Sequence, residues 1–431
     1  MNESINKNFK LLFTIFILGL CWAITYALPF IQYLLYDPFK EAMGASNAQL
    51  GLLMTIYGVG NILGAPFGGW LSDRFNYKNI FIASLIGNGL LSIYFAFNMT
   101  YSSAIFVWIG LAVTGLFMNY PSHIKIVRLL VDEESQGKIF GMNEASVGVG
   151  SLIINAFVLF MFAKFFGGTS GLKVAVIVMG ILSFACAIAG WFIVPNPDKV
   201  RINEAKNAKE AEGSKEKMTI KDFVTVITSP LTWMVGIGIF AIYSFSVTLS
   251  YFTPYFTALL GASVAFSGSL SLIRTHGVRF LGAPFGGWLG DKIGSVSKVL
   301  VVVYASGIAV LLLFMNLPST TPAAILIGIT LIIAFLVFMG RGVYYAVASE
   351  INIPRKYAAS TVGVAAALGF LPDLFQFTLF GGWLDKYGVL GYRYMFIFQL
   401  VVLVIGLCGS LYVLKYKKGI EKAKQTIEQI D

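Results

Sequence analysis

Twelve apolar runs, each long enough to cross a bilayer, constrain this chain more than any other feature. They lie near 9–36, 47–72, 79–98, 102–127, 140–163, 172–194, 228–259, 265–290, 299–316, 321–348, 357–380 and 392–414. A helix needs about 20 mostly apolar residues to cross the hydrocarbon. Composition agrees: 57% of the 431 residues are hydrophobic and 12% are charged, too few charges to keep a chain of this size dispersed in water. The first run is too long for a signal-peptide core and lacks a small-residue cleavage pattern, so it reads as a transmembrane helix. Cys21, Cys186 and Cys408 lie in apolar stretches with no CxxC spacing, which offers neither a metal site nor a disulfide framework.

The polar stretch between the sixth and seventh runs, from Asn196 to Lys221, is charged and nearly free of large apolar residues, as a soluble linker is. The tail after Tyr416 can form a polar helix at the membrane surface. With both ends placed in the cytoplasm, only Lys40, Lys164, Lys173, Lys386 and Arg393 fall in external loops, and Arg274, Arg279 and Arg341 fall inside spans. Every other basic residue is then cytoplasmic. This bias sets the orientation expected for a multi-pass inner-membrane protein with cytoplasmic termini. It also accounts for the net charge of +10 without nucleic acid, since the linker and tail lysines face an anionic leaflet.

Gly64–Leu71 reads GAPFGGWL, and Gly282–Leu289 reads GAPFGGWL again about half a chain later. Each copy ends a span and runs into a charged pair, Asp73-Arg74 or Asp291-Lys292. A weaker echo, FGGWLDKYG, begins at Phe380. An identity of this length at equivalent topological positions signals a duplicated six-helix half. The expected fold is therefore an all-α membrane protein of twelve transmembrane helices in two related halves. Residues 1–195 form the first half, 196–226 the cytoplasmic linker, 227–416 the second half and 417–431 the tail.

The loop Gly69–Lys78 (GWLSDRFNYK) resembles the signature loop of the major facilitator superfamily, with Gly69, Asp73 and Arg74 in place, although Asn76 and Tyr77 stand where Gly and Arg are usual. The second copy keeps Gly287, Asp291, Lys292 and Gly294. Span count and repeat extend the resemblance over the whole chain, and the subgroup it most resembles is bacterial permeases for organic anions and sugar phosphates. In that family the loop acid pairs with a basic group and a helix N-terminus when the cytoplasmic side is closed. The resemblance thus implies a gate of Asp73, Arg74, Arg128, Asp291 and Lys292, with Arg128 the candidate partner of Asp73. The alternative is a loop anchor that fixes topology.

Charges within spans are costly and need a reason, about 2.5–3.5 kcal/mol for an Arg at mid-bilayer on insertion scales. Arg274 is deeper than Arg279, and its choices are to ligate a substrate anion or to pair with Asp373 or Glu144. Arg279 has the same choices. His276 is a hydrogen-bonding neighbour or a proton carrier. Arg274 shares a cavity with His276 and Arg279 only if the helix is irregular, which Gly277 permits. Lys125 and His123, beyond Pro121 in the fourth span, line the substrate path, or Lys125 snorkels to the headgroups. Arg341 is a further ligand or pair partner. Asp373, then Glu144, are the candidate proton-coupling acids, and charge balance is the competing role. Trp22, Tyr26, Asn119 and Tyr251 complete the candidate substrate site, with Tyr33, Tyr120, Tyr243 and Tyr255 in the first, fourth and seventh spans, and for each tyrosine packing or an interfacial belt is the competing role. Pro29 and Pro254 kink the first and seventh spans, which correspond in the repeat, and matched irregular helices often mark a binding site.

No P-loop, HExxH or Ser-His-Asp set is present, and the only histidines are His123 and His276. No enzyme activity, cofactor or metal is expected. The expected function is secondary active transport of a small organic anion (a sugar acid, carboxylate or organophosphate) by alternating access, with proton coupling or exchange. Its partners are the small-molecule substrate, the lipid bilayer and a proton, and a monomer is expected. A neutral-sugar or drug carrier is the rival within this class. A membrane sensor that has lost transport is the rival from another class.

Overall fold

The computed structural model describes residues 2–131, 136–194, 220–318, 320–350 and 355–428. Among the described residues there is helix and turn but no strand. In the first half, the helices are α1 (Asn2–Ala27), α2 (Tyr36–Met43), α3 (Asn47–Arg74), α4 (Tyr77–Phe97), α5 (Tyr101–Ala112), α6 (Tyr120–Arg128), α7 (Gln136–Lys164) and α8 (Gly168–Ile193). The second half has α9 (Ile220–Thr228), α10 (Pro230–Ser250), α11 (Phe252–Leu260), α12 (Val264–Leu272), α13 (Val278–Ile293) and α14 (Val296–Met315). It continues with α15 (Ala323–Arg341), α16 (Val347–Glu350), α17 (Arg355–Gly369), α18 (Pro372–Tyr387) and α19 (Leu390–Glu428). Ten of the resulting rods are long and apolar enough to cross a membrane. The second and eighth spans of the sequence correspond to α3 and to α12 running on into α13. The polar tail continues α19 as one helix of 39 residues.

Helix starts follow local chemistry. Ser46 and Gln49 form a reciprocal capping box at α3, Asn76 accepts from Lys78 N and Asn79 N at α4, and Thr100 accepts from Ser103 N at α5. The interruptions follow proline. The first span breaks after Ala27, just before Leu28-Pro29, because the residue preceding a proline is pushed out of the helical region. The seventh span breaks at Tyr251, and Pro254 sits in the first turn of α11. In the fourth span, α5 and α6 are joined by a π-helical stretch, Val113–Asn119, directly before Tyr120-Pro121. A second π-helical stretch, Ile273–Gly277, joins α12 to α13, so the eighth span is irregular at Arg274.

The repeated octapeptide has a packing reason. A Cβ on Gly64 would lie 2.9 Å from the Leu116 carbonyl oxygen, and one on Gly282 would lie 2.9 Å from Phe338 Cβ. Both distances are shorter than ordinary contact. Each copy's first glycine therefore lets the second helix of its half press onto the fourth, where a methyl group would hold the backbones apart. Close approach of α1 and α7 uses the same device at Gly19, where a Cβ would overlap the Ser146 backbone.

The chain divides into two compact units, Met1–Lys215 with Ala262–Leu272, and Glu216–Gly261 with Ile273–Asp431. The segment Ala262–Leu272 belongs to the second repeat by sequence but packs with the first unit. There Ser271 Oγ donates to Tyr33 O at 2.7 Å.

Candidate functional site

In the first unit, Trp22 and Tyr26 share a face of α1 at i,i+4 spacing, with ring centroids 5.0 Å apart. Tyr120 and His123, at i,i+3 on α6, close on the same indole at 5.4 Å and 4.8 Å. His123 Nε2 and Asn143 Oδ1 on α7 are hydrogen-bonded at 2.9 Å. Asn119 Nδ2 donates to Ser84 Oγ on α4 at 2.9 Å. Asn119, Ser122 and His123 are fully buried, yet Asn119 Oδ1, Ser122 Oγ and His123 Nδ1 have no hydrogen-bond partner among the described residues. Leaving one such group unmade costs about 1–3 kcal/mol. Glu144, on α7 one residue after Asn143, is exposed.

The second unit buries the opposite polarity. Arg274, in the π-helical turn, is 0% exposed. Its Nη2 donates to Thr253 Oγ1 at 3.0 Å, and its guanidinium lies 5.7 Å from the Phe252 ring centroid. Nε and Nη1 have no partner. No carboxylate pairs with Arg274 among the described residues. Asp373, one of the two acids that could have paired with it, accepts instead from Tyr243 Oη at 2.8 Å. Arg341 lies over the same Tyr243 ring at 5.8 Å and donates through Nη1 to Ser246 Oγ at 3.0 Å. His276 and Arg279 are both partly exposed. Tyr251 is buried and donates to the Phe377 carbonyl at 2.9 Å. Tyr255 packs edge-on against Tyr392 at 5.1 Å.

A buried polar knot adjoins Tyr251, and sequence reading did not single it out. Ser244 and Thr248 both donate to Gln399 Oε1, at 3.0 Å and 2.9 Å. Gln376 Nε2 donates to the Ser244 carbonyl at 3.0 Å. The one legible signal was the pair of glutamines inside otherwise apolar spans.

At the expected gate, Arg74, Arg128, Asp291 and Lys292 are exposed. The Asp73 side chain lies outside the described residues. Lys292 Nζ lies 4.9 Å from the Trp288 ring centroid, and Lys125 Nζ lies 5.8 Å from that of Tyr77. Sequence reading names Glu350 as the acid that closes the tenth span and gives it no role. Its carboxylate takes the backbone N–H of Val296, that of Ser297 at 3.1 Å and the Ser295 hydroxyl at 3.3 Å, and Lys417 Nζ stands 3.5 Å away. Glu350 thus caps α14 from 55 positions along the chain. Burial pushes its carboxyl up, but these hydrogen bonds and the Lys417 charge outweigh it and hold the group below the usual glutamate range.

Rods of this length in two related halves, with a guanidinium that meets no carboxylate among the described residues and a polar knot buried inside them, are the build of a membrane transporter. The model of the Major Facilitator Superfamily matches residues 11–375, and the chain belongs to that family. It is similar to inner membrane protein YqcE of Escherichia coli K12, with 27% identity over 88% of this chain and 89% of that one. The hexuronate transporter of Bacillus subtilis 168 is 23% identical over 81% of this chain and 83% of its own length. Membrane sensor protein UhpC of E. coli K12 is 22% identical over 61% of each. Among solved structures, a D-xylose–proton symporter superposes with a TM-score of 0.72 at 15% identity, covering 95% of this chain and 97% of that one. A bacterial homologue of the lysosomal transporter Spinster gives 0.71 at 16%, covering 96% and 98%. Ten apolar rods and inner-membrane relatives make this a multi-pass inner-membrane protein.

Proposed function

We propose that this transporter moves a small organic anion, a sugar acid best matching its relatives, by alternating access of its two halves, with both termini in the cytoplasm. The observation that carries this reading is Arg274, a fully buried guanidinium with one hydrogen bond and no counter-charge among the described residues. A buried cation without compensation destabilises the fold, so it belongs to a protein whose ligand supplies the missing charge. A carboxylate or phosphate also fits the donor fork that a guanidinium presents. The hexuronate transporter named above is a carrier of this class of solute. Asp373, held by Tyr243 near Arg341, is the group we assign to proton coupling, and exchange is the alternative means of driving transport.

The test is uptake of radiolabelled hexuronate into proteoliposomes, with and without an imposed proton gradient. Saturable uptake that Arg274→Ala abolishes and Arg274→Lys sharply weakens supports the reading. Wild-type uptake and affinity in Arg274→Ala would remove its main support. Similarity to UhpC favours a second reading, a sensor that binds the anion without moving it. Tight binding with no flux in the same vesicles would select that one.

A further inference from the structure

We infer that the outer hairpin of each half, α7–α8 in the first unit and α18–α19 in the second, is a docking surface for an anionic phospholipid headgroup. The inference rests on the proposed orientation, with both termini in the cytoplasm, and on nothing about the substrate. External cations run against the bias that sets this orientation, so each needs a reason. Of the five that fall outside, four stand on these two hairpins: Lys164 and Lys173 on one, Lys386 and Arg393 on the other. The two pairs occupy equivalent places in the repeat. Unlike the polar groups buried within the spans, they recur in both halves.

The hairpins are built alike. A Cβ on Gly171 would lie 2.5 Å from the Phe162 carbonyl oxygen, and one on Gly391 would lie 2.6 Å from that of Trp383. Each glycine lets the second helix of its hairpin press onto the first, and the cation two positions later, Lys173 or Arg393, is exposed. Lys173 heads a stripe of α8 that continues through exposed Ile181 and Ile188, and Arg393 heads one of α19 that continues through exposed Ile397 and Val401. Exposed apolar stripes on spanning helices face lipid, so these cations meet headgroups rather than a substrate path. The depth fits as well. The apolar rods begin again at Gly168 and Leu390, which puts both cations within about 8 Å of the hairpin tip, and a long side chain there snorkels to the phosphate level.

Aromatic rings complete the surface. Lys164 Nζ lies 5.8 Å from the Phe160 ring centroid, Lys173 Nζ 4.7 Å from that of Phe97 on α4, and Lys386 Nζ 5.2 Å from that of Tyr387, all three rings being exposed. At the tip of the first hairpin Phe166 is 98% exposed and has a φ of 68°. A bulky residue rarely adopts this conformation. Here it turns a ring away from the protein at the end of an apolar rod, into the layer where aromatic side chains concentrate. Exposed rings beneath ammonium groups suit an amphiphile, whose chains meet the rings while its anionic head meets the cations. A free inorganic anion uses only the cations. Asp385, also exposed, stands beside Lys386, so the second hairpin carries the weaker surface.

The experiment is native mass spectrometry of the full-length protein in neutral detergent, titrated with phosphatidylglycerol or phosphatidylcholine. Both lipids carry a phosphate, and only the first has a net negative charge. Wild type is expected to prefer phosphatidylglycerol. Lys164→Gln combined with Lys173→Gln should lower that preference at least fivefold, the contribution of about one cation at an anionic surface. Lys386→Gln combined with Arg393→Gln should lower it less. Lys40→Gln, at the remaining external cation, should leave it unchanged, and Lys164→Arg combined with Lys173→Arg should keep it. Equal wild-type binding of the two lipids, or an unchanged preference in both glutamine pairs, would overturn the surface. Displacement of the lipid by millimolar inorganic phosphate would reduce it to a plain anion site and overturn it too. Labelling of Phe166→Cys by a membrane-impermeant maleimide added outside intact cells supports the outer leaflet. Labelling only from the cytoplasmic side would overturn that leaflet and the orientation beneath it, whatever the titration shows.

Discussion

The two halves share a packing device and bury opposite polar demands. Gly64 and Gly282 hold equivalent helices together at the same close approach. Around them, among the described residues, the first half leaves a carbonyl acceptor without a donor at Asn119, and the second leaves guanidinium donors without acceptors at Arg274. Duplication preserved what helix packing requires, because any bulk at those glycines separates two backbones. It did not preserve the polar side chains, because nothing in packing demands them. On the proposed function, a ligand rather than the fold set the residue at Arg274.

The comparison breaks first at Arg274. Replacing it with Met should abolish anion binding, more than 100-fold by titration, since charge-assisted hydrogen bonds contribute about 1.5–3 kcal/mol each. The same change should raise the melting temperature of the ligand-free protein, because removing an uncompensated buried charge in favour of an apolar side chain of similar volume is often stabilising. A lower melting temperature would mean that Arg274 is structural and that the polarity contrast is accidental.

A second test asks whether Asp373 belongs to the donor-rich half as a ligand or as a coupling group. Asp373→Asn should flatten the dependence of uptake on the proton gradient while changing substrate affinity less than threefold, about 0.7 kcal/mol. Tyr243→Phe removes the hydroxyl that holds Asp373, so it should move the pH profile of uptake without flattening it. An affinity loss as large as that of Arg274→Ala would make Asp373 part of the binding site instead.

The shared device is tested by bulk. Gly64→Val and Gly282→Val should each cost about 1–3 kcal/mol through overpacking, visible as similar falls in melting temperature. A large effect in one half and none in the other would mean that the octapeptide is retained for different reasons in the two copies.

The smallest effect is expected at Glu350. Glu350→Gln should destabilise the protein by about 1 kcal/mol, the worth of a helix cap. The Glu350 carboxyl is held below its ordinary value in the fold, so its contribution is present above the unfolded pKa, about 4.3, and fades as pH falls through the folded one. Melting curves of wild type and variant should differ at pH 7 and converge in acid. A constant difference across that range would assign the effect to shape rather than charge.

The twelve spans, the two halves and the helix breaks near Pro29, Pro121 and Pro254 were determined by the sequence alone. Hydrophobic length, an eight-residue identity and the missing N–H of proline act locally, so they survive being read in one dimension. Deep arginines and carboxylates were also visible, because a charge in an apolar run stands out wherever it points. What each charge faces was decided only by the tertiary structure. Proximity in sequence says nothing about which of Thr253, Glu144 or Asp373 meets Arg274, and a π-helical turn rotates that side chain away from the register of an ideal helix. The same holds for Glu350. That α14 begins at Val296 with unpaired N–H groups follows from any helix start, but the carboxylate that satisfies them arrives from the end of another span. Only the packing of those helices brings the two together.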